Sequence, residues 1–341
     1  MLEDTLKALE KKFGKGTICI ASQMLGTTLE RESTGSLALD IETGGGFPKG
    51  RVVEIYGDEA SGKTSLALLT VAEMQRKSGK VVWVDAEGTL DRPWAKTLGV
   101  DLDKLYLSVP ETGEIACDVL DSVVRSGDCS LAVLDSVAAL IPVSDVEKSM
   151  VDDPERLGER AMMVNRLVRK LQSALNIRTG EDRLPNNCIV IFINQIREAI
   201  GIYGNPEFTP GGRGKDFSYS IRLHIRRGDW IELGKGNEKE RIGYTVKFRT
   251  TKNKTYPPHR VGEFDFYFKG DKAGKIDKTK EVMIYSILYG LIEQAGAFYT
   301  IGEEKIQGKE TVKTYLDSKP ELVEKLKKDL CSIIFKESGV K

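Results

Sequence analysis

The sequence predicts an α/β protein: a parallel sheet covered by helices on both faces and extended by antiparallel strands. Three observations predict it. Apolar runs alternate with helical segments from about residue 51, a glycine-rich segment joins the first run to the first helix, and strands follow one another without helices after residue 215.

The chain of 341 residues exceeds a typical domain of roughly 100–200, so a main domain with smaller appendages is expected. The pattern divides it into an N-terminal element (1–30), a core (31–270) and a C-terminal domain (271–341). Fifty-one basic residues balance fifty-one acidic ones, so any site for a polyanion must be a local patch. No run approaches ~18 uninterrupted apolar residues, and the start MLEDTLKALEKKFG lacks a basic-then-apolar order; a cytoplasmic protein without membrane contact is expected. The five cysteines (Cys19, Cys117, Cys129, Cys188, Cys331) are scattered and the two histidines lie far apart, which excludes a zinc pattern and favours buried free thiols.

Leu2, Leu6, Leu9 and Phe13 recur at helical spacing and predict a one-sided helix, broken by Gly14-Lys15-Gly16 and followed by a short strand, Thr17 to Ala21. Its apolar stripe fits a neighbouring subunit or its own domain, and the pattern does not separate the two. The runs RVVEIYG, KVVWVDAE, KLYLSV, SLAVLDS and NCIVIFINQ read as buried parallel strands, with helices at about 63–77, 112–126 and 154–176 between them. SYSIRLHIRR, YTVKFRTTKN and EFDFYF then predict antiparallel extension. The stretch from Asn176 to Asn187 reads as a surface loop and Lys269 to Lys278 as a linker, beyond which 281–294 and 320–335 look helical.

Gly57, Asp58, Glu59, Ala60, Ser61, Gly62, Lys63 and Thr64 match G-x-x-x-x-G-K-[ST] between a strand and a helix. In such a loop backbone amides cradle a β-phosphate, Lys63 reaches the β/γ oxygens and the Thr64 hydroxyl binds Mg²⁺, with Ser65 completing the nucleotide cradle. Asp135 ends an apolar strand where a carboxylate is otherwise costly, and suits a metal-holding role. Ser136 follows it, where many related ATPases carry the glutamate that positions water. The candidate is therefore Glu87 at the end of KVVWVDAE, with Asp85 as its rival. Asn194 and Gln195 close the strand NCIVIFINQ beside the γ-phosphate position, where an amide can register nucleotide state.

With these residues placed, the chain resembles the bacterial RecA recombinase family over nearly its whole length, in STGSLALD, GDEASGKT, VDAEGTLD, LDSVAAL, FINQIR, GNPE and TKNK. The resemblance implies a P-loop NTPase core of RecA type and a DNA-dependent ATPase using ATP and Mg²⁺. It implies that Glu87 is catalytic, that Gln195 couples the γ-phosphate to a DNA loop, and that Asp91 and Trp94 contact adenine. Trp94 replaces the family's usual tyrosine. Lys252 and Lys254 match lysines that reach a neighbour's ATP across a subunit interface, and the N-terminal helix and strand match the polymerisation element.

The Gly- and Pro-rich stretch 197–214 follows the Gln195 strand. By resemblance it is the second DNA loop, with contacts from Arg197, Ile200, Gly211, Gly212 and Arg213, while Arg169 follows the first loop, near Lys148 to Asp153, whose Met150 is a candidate wedge. The second loop is one residue shorter than the family's and carries Pro210 and Asp216 where Thr and Lys are usual. The closing KESGVK is not an acidic tail. The implied partners are single-stranded DNA, a homologous duplex, further copies of the chain in a helical filament, and a repressor cleaved on that filament. A hexameric replicative helicase, a small-molecule P-loop kinase and a non-catalytic relative are the alternatives; TKNK and GNPE argue against the first, and the intact set Lys63, Thr64, Glu87, Asp135 and Gln195 against the last.

Overall fold

The computed structural model describes residues 1–14, 17–18, 20, 29–146, 158–179, 184–198, 207–212, 214–234 and 238–336. The principal elements are α1 (Leu2–Phe13), α2 (Leu37–Thr43), β1 (Val52–Gly57), α3 (Lys63–Arg76), β2 (Val81–Asp85), α4 (Arg92–Thr97), β3 (Leu105–Ser108), α5 (Gly113–Arg125), β4 (Leu131–Asp135), α6 (Glu159–Leu175) and β5 (Ile189–Gln195). A short α7 (Gly214–Ser218) leads to β6 (Ile221–Leu233), β7 (Glu240–Asn253) and β8 (Val261–Tyr267). The C-terminal part holds α8 (Lys278–Leu288), β9 (Glu293–Ala295), β10 (Phe298–Ile301), β11 (Glu304–Gln307), α9 (Lys309–Asp317) and α10 (Pro320–Lys336).

Eight strands form one sheet in the order β8-β7-β6-β1-β5-β4-β2-β3. The predicted parallel strands are all there, and so are the helices between them, within a few residues. Burial on both faces explains their unbroken apolar runs. Val53, Ile55, Trp83, Val133 and Ile191 pack under α2 and α3, while Val52, Val84, Ala132, Leu134 and Phe192 pack against α5 and α6. One expectation needs correction. β7 and β8 extend the sheet antiparallel, but β6 joins it parallel to β1, with Ile221 beside Val53 and Ile225 beside Gly57. The long connection from Gln195 to Ile221 makes this crossover, which the lack of a long helix there concealed.

The segment read as a linker is packed. Gly274 N donates to Tyr267 O at 2.8 Å, Ile276 is buried and bridges to Phe266, and the Asp277 carboxylate caps α8 through Lys280 N. α8 therefore starts earlier than expected and stops at Leu288, and residues 293–307 form a three-stranded antiparallel sheet in place of the helix end. Residues 178–179 and 184–185 of the expected surface loop pair as short strands, anchored by buried Asn186, whose amide donates to Val124 O at 2.7 Å. α1 forms as predicted, yet none of its residues is buried; of the strand expected over 17–21, Thr17, Ile18 and Ile20 are described and none of them is in a strand, while Cys19 and Ala21 lie outside the described residues. The other four cysteines are free, Cys129 and Cys188 buried and Cys117 and Cys331 partly so.

Buried polar contacts tie the C-terminal part to the core, among them that of Tyr285 Oη, which donates to Glu42 Oε1 at 3.1 Å. Glu281 of α8 sits at the N-terminus of α2, accepting from Ser36 Oγ (2.5 Å), Ala38 N (3.1 Å) and Leu37 N (3.2 Å). It thereby satisfies amides that a helix start leaves open. Burial nevertheless pushes the Glu281 carboxyl up to about 7, and burial pushes Asp40, one helical turn further on, up to about 6. Both groups hold protons in the folded state that the unfolded chain releases, so their stabilising effect is complete at pH values below the unfolded carboxyl range and fades as pH rises through 6 and 7. Thermal melts between pH 5.5 and 8 should show a higher Tm on the acid side, and Glu281→Gln should shrink that difference by a few °C. An unchanged pH slope in Glu281→Gln would remove this carboxyl from the explanation.

Candidate functional site

The site lies where β1, β2, β4 and β5 end. Gly57 closes β1 so near β6 that a Cβ there would sit 2.0 Å from the Ile225 carbonyl oxygen, and only glycine fits. The loop then turns into α3 at Gly62. Lys63 Nζ donates to the loop's own carbonyls, Gly57 O at 3.1 Å and Asp58 O at 2.6 Å; burial lowers its pKa against the pull of Asp135 and Glu87. Ser61 Oγ is buried and has no hydrogen-bond partner among the described residues. A loop with a lysine folded onto its carbonyls and an unpaired buried hydroxyl fits phosphate oxygens.

Thr64 Oγ1 donates to Asp135 Oδ2 at 3.0 Å. Burial pushes the Asp135 carboxyl up to about 7, with Glu87 and Asp85 adding repulsion and Thr64 and Lys63 opposing it. A hydroxyl beside a carboxylate supplies the hard oxygen donors that suit Mg²⁺, whose charge would also relieve the crowding of acids.

The turn after β2 separates the two acidic candidates. Asp85 is buried and accepts from Gly88 N and Leu90 N, each at 2.9 Å, so its carboxylate shapes the turn. Ala86 N and Glu87 N both donate to Asp135 O, at 2.7 and 3.3 Å, which fixes the turn to the end of β4. Glu87 projects into the site, where Oε1 accepts from Ser136 Oγ at 2.5 Å and from Gln195 Nε2 at 3.4 Å. Ser136, read in the sequence only as the place where a glutamate is missing, is the partner that orients Glu87.

A cleft of about 370 Å³ opens beside the loop, walled by Ser65, Trp94, Trp230, Tyr244, Phe266 and Phe268. Trp94 Nε1 donates to Ser65 Oγ at 3.3 Å, and its ring stands edge-on to Phe266. Asp91 caps α4 by accepting from Trp94 N at 2.9 Å and orients that ring without lining the cleft. The remaining aromatic walls come from β6, β7 and the β8 end, whose alternation reads in sequence simply as a sheet face.

Lys252 and Lys254 are not at the chain's own loop. In register Lys252 is beside Arg222, which is beside Glu54, short of the Gly57 level. Both ammonium groups donate to the C-terminal carbonyls of α7: Lys252 to Asp216 O and Phe217 O, Lys254 to Phe217 O at 2.7 Å. Of the expected DNA contacts, Arg197 is exposed and begins a two-residue pairing with Glu207–Phe208, and Arg169 is exposed on α6. Asn165 of α6 donates to Gly211 O at 3.4 Å, so α6 meets the Gly211 backbone one helical turn before Arg169, whose Nε donates to Asn165 O at 3.3 Å. Gly211 has φ +98°, and a Cβ there would press on the Lys215 side chain. Ile200, Arg213, Met150 and the rest of the first loop lie outside the described residues. Asp216, the departure noted above, accepts from Lys215 at 2.8 Å and pairs with Arg222 at 3.2 Å.

A phosphate loop after the first strand, an acid-and-hydroxyl pair for a cation and a positioned glutamate on the neighbouring strand define a nucleoside-triphosphate hydrolase of the P-loop class. The RecA N-terminal domain family matches residues 1–272 and the RecA C-terminal domain family residues 281–333. Proteins named Protein RecA are similar throughout: that of Acholeplasma laidlawii is 41% identical over 330 residues (96% of this chain, 94% of the relative). Those of Cereibacter sphaeroides (44%; 94% of this chain, 89% of the relative) and Aquifex aeolicus (43%; 95% and 90%) are similar to the same extent. The chain belongs to the RecA family. It is a recombinase of DNA repair and a DNA-dependent ATPase, and the helicase reading is not favoured. Among the described residues no helix is long and apolar enough to cross a membrane.

Ser136→Ala should lower kcat about tenfold with little change in KM, because it frees the glutamate without touching the nucleotide cradle. Steady-state turnover at saturating DNA measures this, and an equal change in both constants would assign Ser136 to nucleotide binding.

Proposed function

We propose that the protein binds ATP with Mg²⁺, polymerises on single-stranded DNA, pairs it with a homologous duplex and exchanges strands, hydrolysis then releasing the DNA. The observation that carries this reading is the hydrogen-bond chain Ser136–Glu87–Gln195: the residue that would position water shares one carboxylate oxygen with the amide that opens the DNA loop. A change at the γ-phosphate position is therefore passed to residues 197–214 by a single side chain.

In this reading the backbone of Gly57 to Ser65 cradles the phosphates, with Asp58, Glu59, Ala60 and Ser61 forming the turn, and Lys63 leaves its carbonyl partners for phosphate oxygens. Thr64 and Asp135 hold Mg²⁺, which supplies charge neutralisation when bound. Glu87 orients water for attack in line. Trp94 stacks on the base while Asp91 holds Trp94 in place. Lys252 and Lys254 act in trans on a neighbour's nucleotide, which their distance in register from their own loop supports, and 1–30 is the polymerisation element, which the uncovered stripe of α1 supports. Residues 31–270 form the ATPase core and 271–341 the C-terminal domain. Arg169, Arg197, Ile200, Gly211, Gly212 and Arg213 hold the DNA, chiefly by its phosphates, so that base pairing supplies specificity. The protein works in the cytoplasm, and a repressor cleaved on the filament is a further partner.

Turnover at fixed salt, with and without single-stranded DNA, tests the reading. Strong stimulation is expected in the wild type, and Glu87→Gln should abolish turnover while retaining DNA binding; DNA-independent turnover or an active Glu87→Gln reopens the kinase reading. Mixing supplies a separate check on the trans lysines. Lys252→Ala with Lys254→Ala should be inactive alone, and mixing it with inactive Glu87→Gln should restore part of the activity, since some interfaces then combine an intact glutamate with intact lysines. No recovery on mixing would place these lysines in cis.

A further inference from the structure

Glu54 interrupts the apolar strand that leads to the phosphate loop, and it is fully buried. Its carboxylate accepts from Arg222 Nε of β6 at 2.6 Å, from Asn194 Nδ2 of β5 at 2.9 Å and from Lys215 Nζ of α7 at 3.3 Å. The same three side chains hold the end of the segment 197–214. Lys215 Nζ donates to Thr209 Oγ1 at 2.7 Å, Arg222 NH2 donates to Thr209 Oγ1 at 3.1 Å, and Asn194 Nδ2 donates to Pro210 O at 3.0 Å. Asp216 closes the cluster against Lys215 and Arg222, so that two carboxylates balance two cations. Asn194 also reaches the other stem, because its Oδ1 accepts from Gln195 N at 3.0 Å.

A buried ion cluster gains little stability over apolar residues of the same volume, but a fully satisfied one fixes geometry in one arrangement. Here the geometry it fixes is the trailing stem of the segment, joined to the strand that bears the phosphate loop. The leading stem, by contrast, meets the catalytic glutamate through one long hydrogen bond from Gln195. We propose that Glu54 is a positioning residue for the DNA-stimulated reaction: with Lys215, Arg222 and Asp216 it clamps the trailing stem at Thr209–Pro210, so that this stem keeps a fixed relation to the strand that bears the phosphate loop. This rests on the reading of 197–214 as a DNA loop.

The test compares Glu54→Gln and Asp216→Asn with wild type, full length, after thermal melts establish folding. The Asp216 side chain is 30% exposed, so its variant carries the test if Glu54→Gln does not fold. Affinity for a fluorescent ATP analogue should be unchanged. Half-saturating single-stranded DNA at fixed salt should rise about tenfold and DNA-stimulated turnover fall by a similar factor, within the usual range of coupling between sites. Glu54→Asp, which keeps the charge, should recover part of the loss. Folded variants with wild-type half-saturation, or with nucleotide affinity lost in parallel, would overturn the clamp. Ile200→Ala and Arg213→Ala run alongside: if these leave DNA binding intact, the loop reading fails, whereas their weakening with intact Glu54 variants sinks the clamp alone.

Discussion

The constraint on which the rest depends is the close approach of β6 to the end of β1. Gly57 has no room for a Cβ beside the Ile225 carbonyl, and that contact seats a parallel strand directly against the phosphate loop. Because β6 runs parallel to β1, the connection from the end of β5 must cross back to the start of β6, and its described end at Thr209 and Pro210 is held by Lys215, Arg222 and Asn194. The aromatic walls of the cleft beside the loop arrive by the same route, on β6, β7 and β8. A single glycine thus lets β6 lie against the phosphate loop, and one hydrogen bond joins Gln195 at the end of β5 to Glu87.

Much of the fold was legible in the sequence because strands buried on both faces leave continuous apolar runs, and because a phosphate loop has a fixed spacing. What escaped was set by single residues or by distant pairing. Composition over 269–278 reads as a linker, yet Ile276 and Asp277 anchor it. The direction of β6 depends on a long connection without regular periodicity. In the site, Lys63, Thr64, Asp135, Glu87 and Gln195 converge as expected, since each ends or follows a strand at the same sheet edge. The orienting role of Ser136, the turn-shaping role of Asp85 and the aromatic walls from β6 to the end of β8 escaped because they come from partners many residues away: a serine after an aspartate carries no signal until Glu87 is beside it.

Buried charge is used here for placement more than for stability. Glu281 reaches from the C-terminal part to the start of α2, Asp135 stands among other acids, and Glu54 gathers side chains of β5, β6 and α7. Each acid is taken out of water at a cost that burial alone does not return. Each also ends where two parts of the chain must keep a fixed relation. The apolar layers hold the sheet together, and these few carboxylates decide how its edge is arranged.

The chain's three tryptophans are divided between two environments. Trp83 is sealed in the core under α3, whereas Trp94 and Trp230 both border the cleft beside the phosphate loop, Trp230 with the guanidinium groups of Arg227 and Arg241 within 4.7 Å of its ring centre. The native emission of the protein therefore contains one constant contribution and two that sense what enters the cleft. No label has to be attached to follow occupancy: the indoles that wall the pocket are its optical gauge, and Trp83 serves as the internal reference.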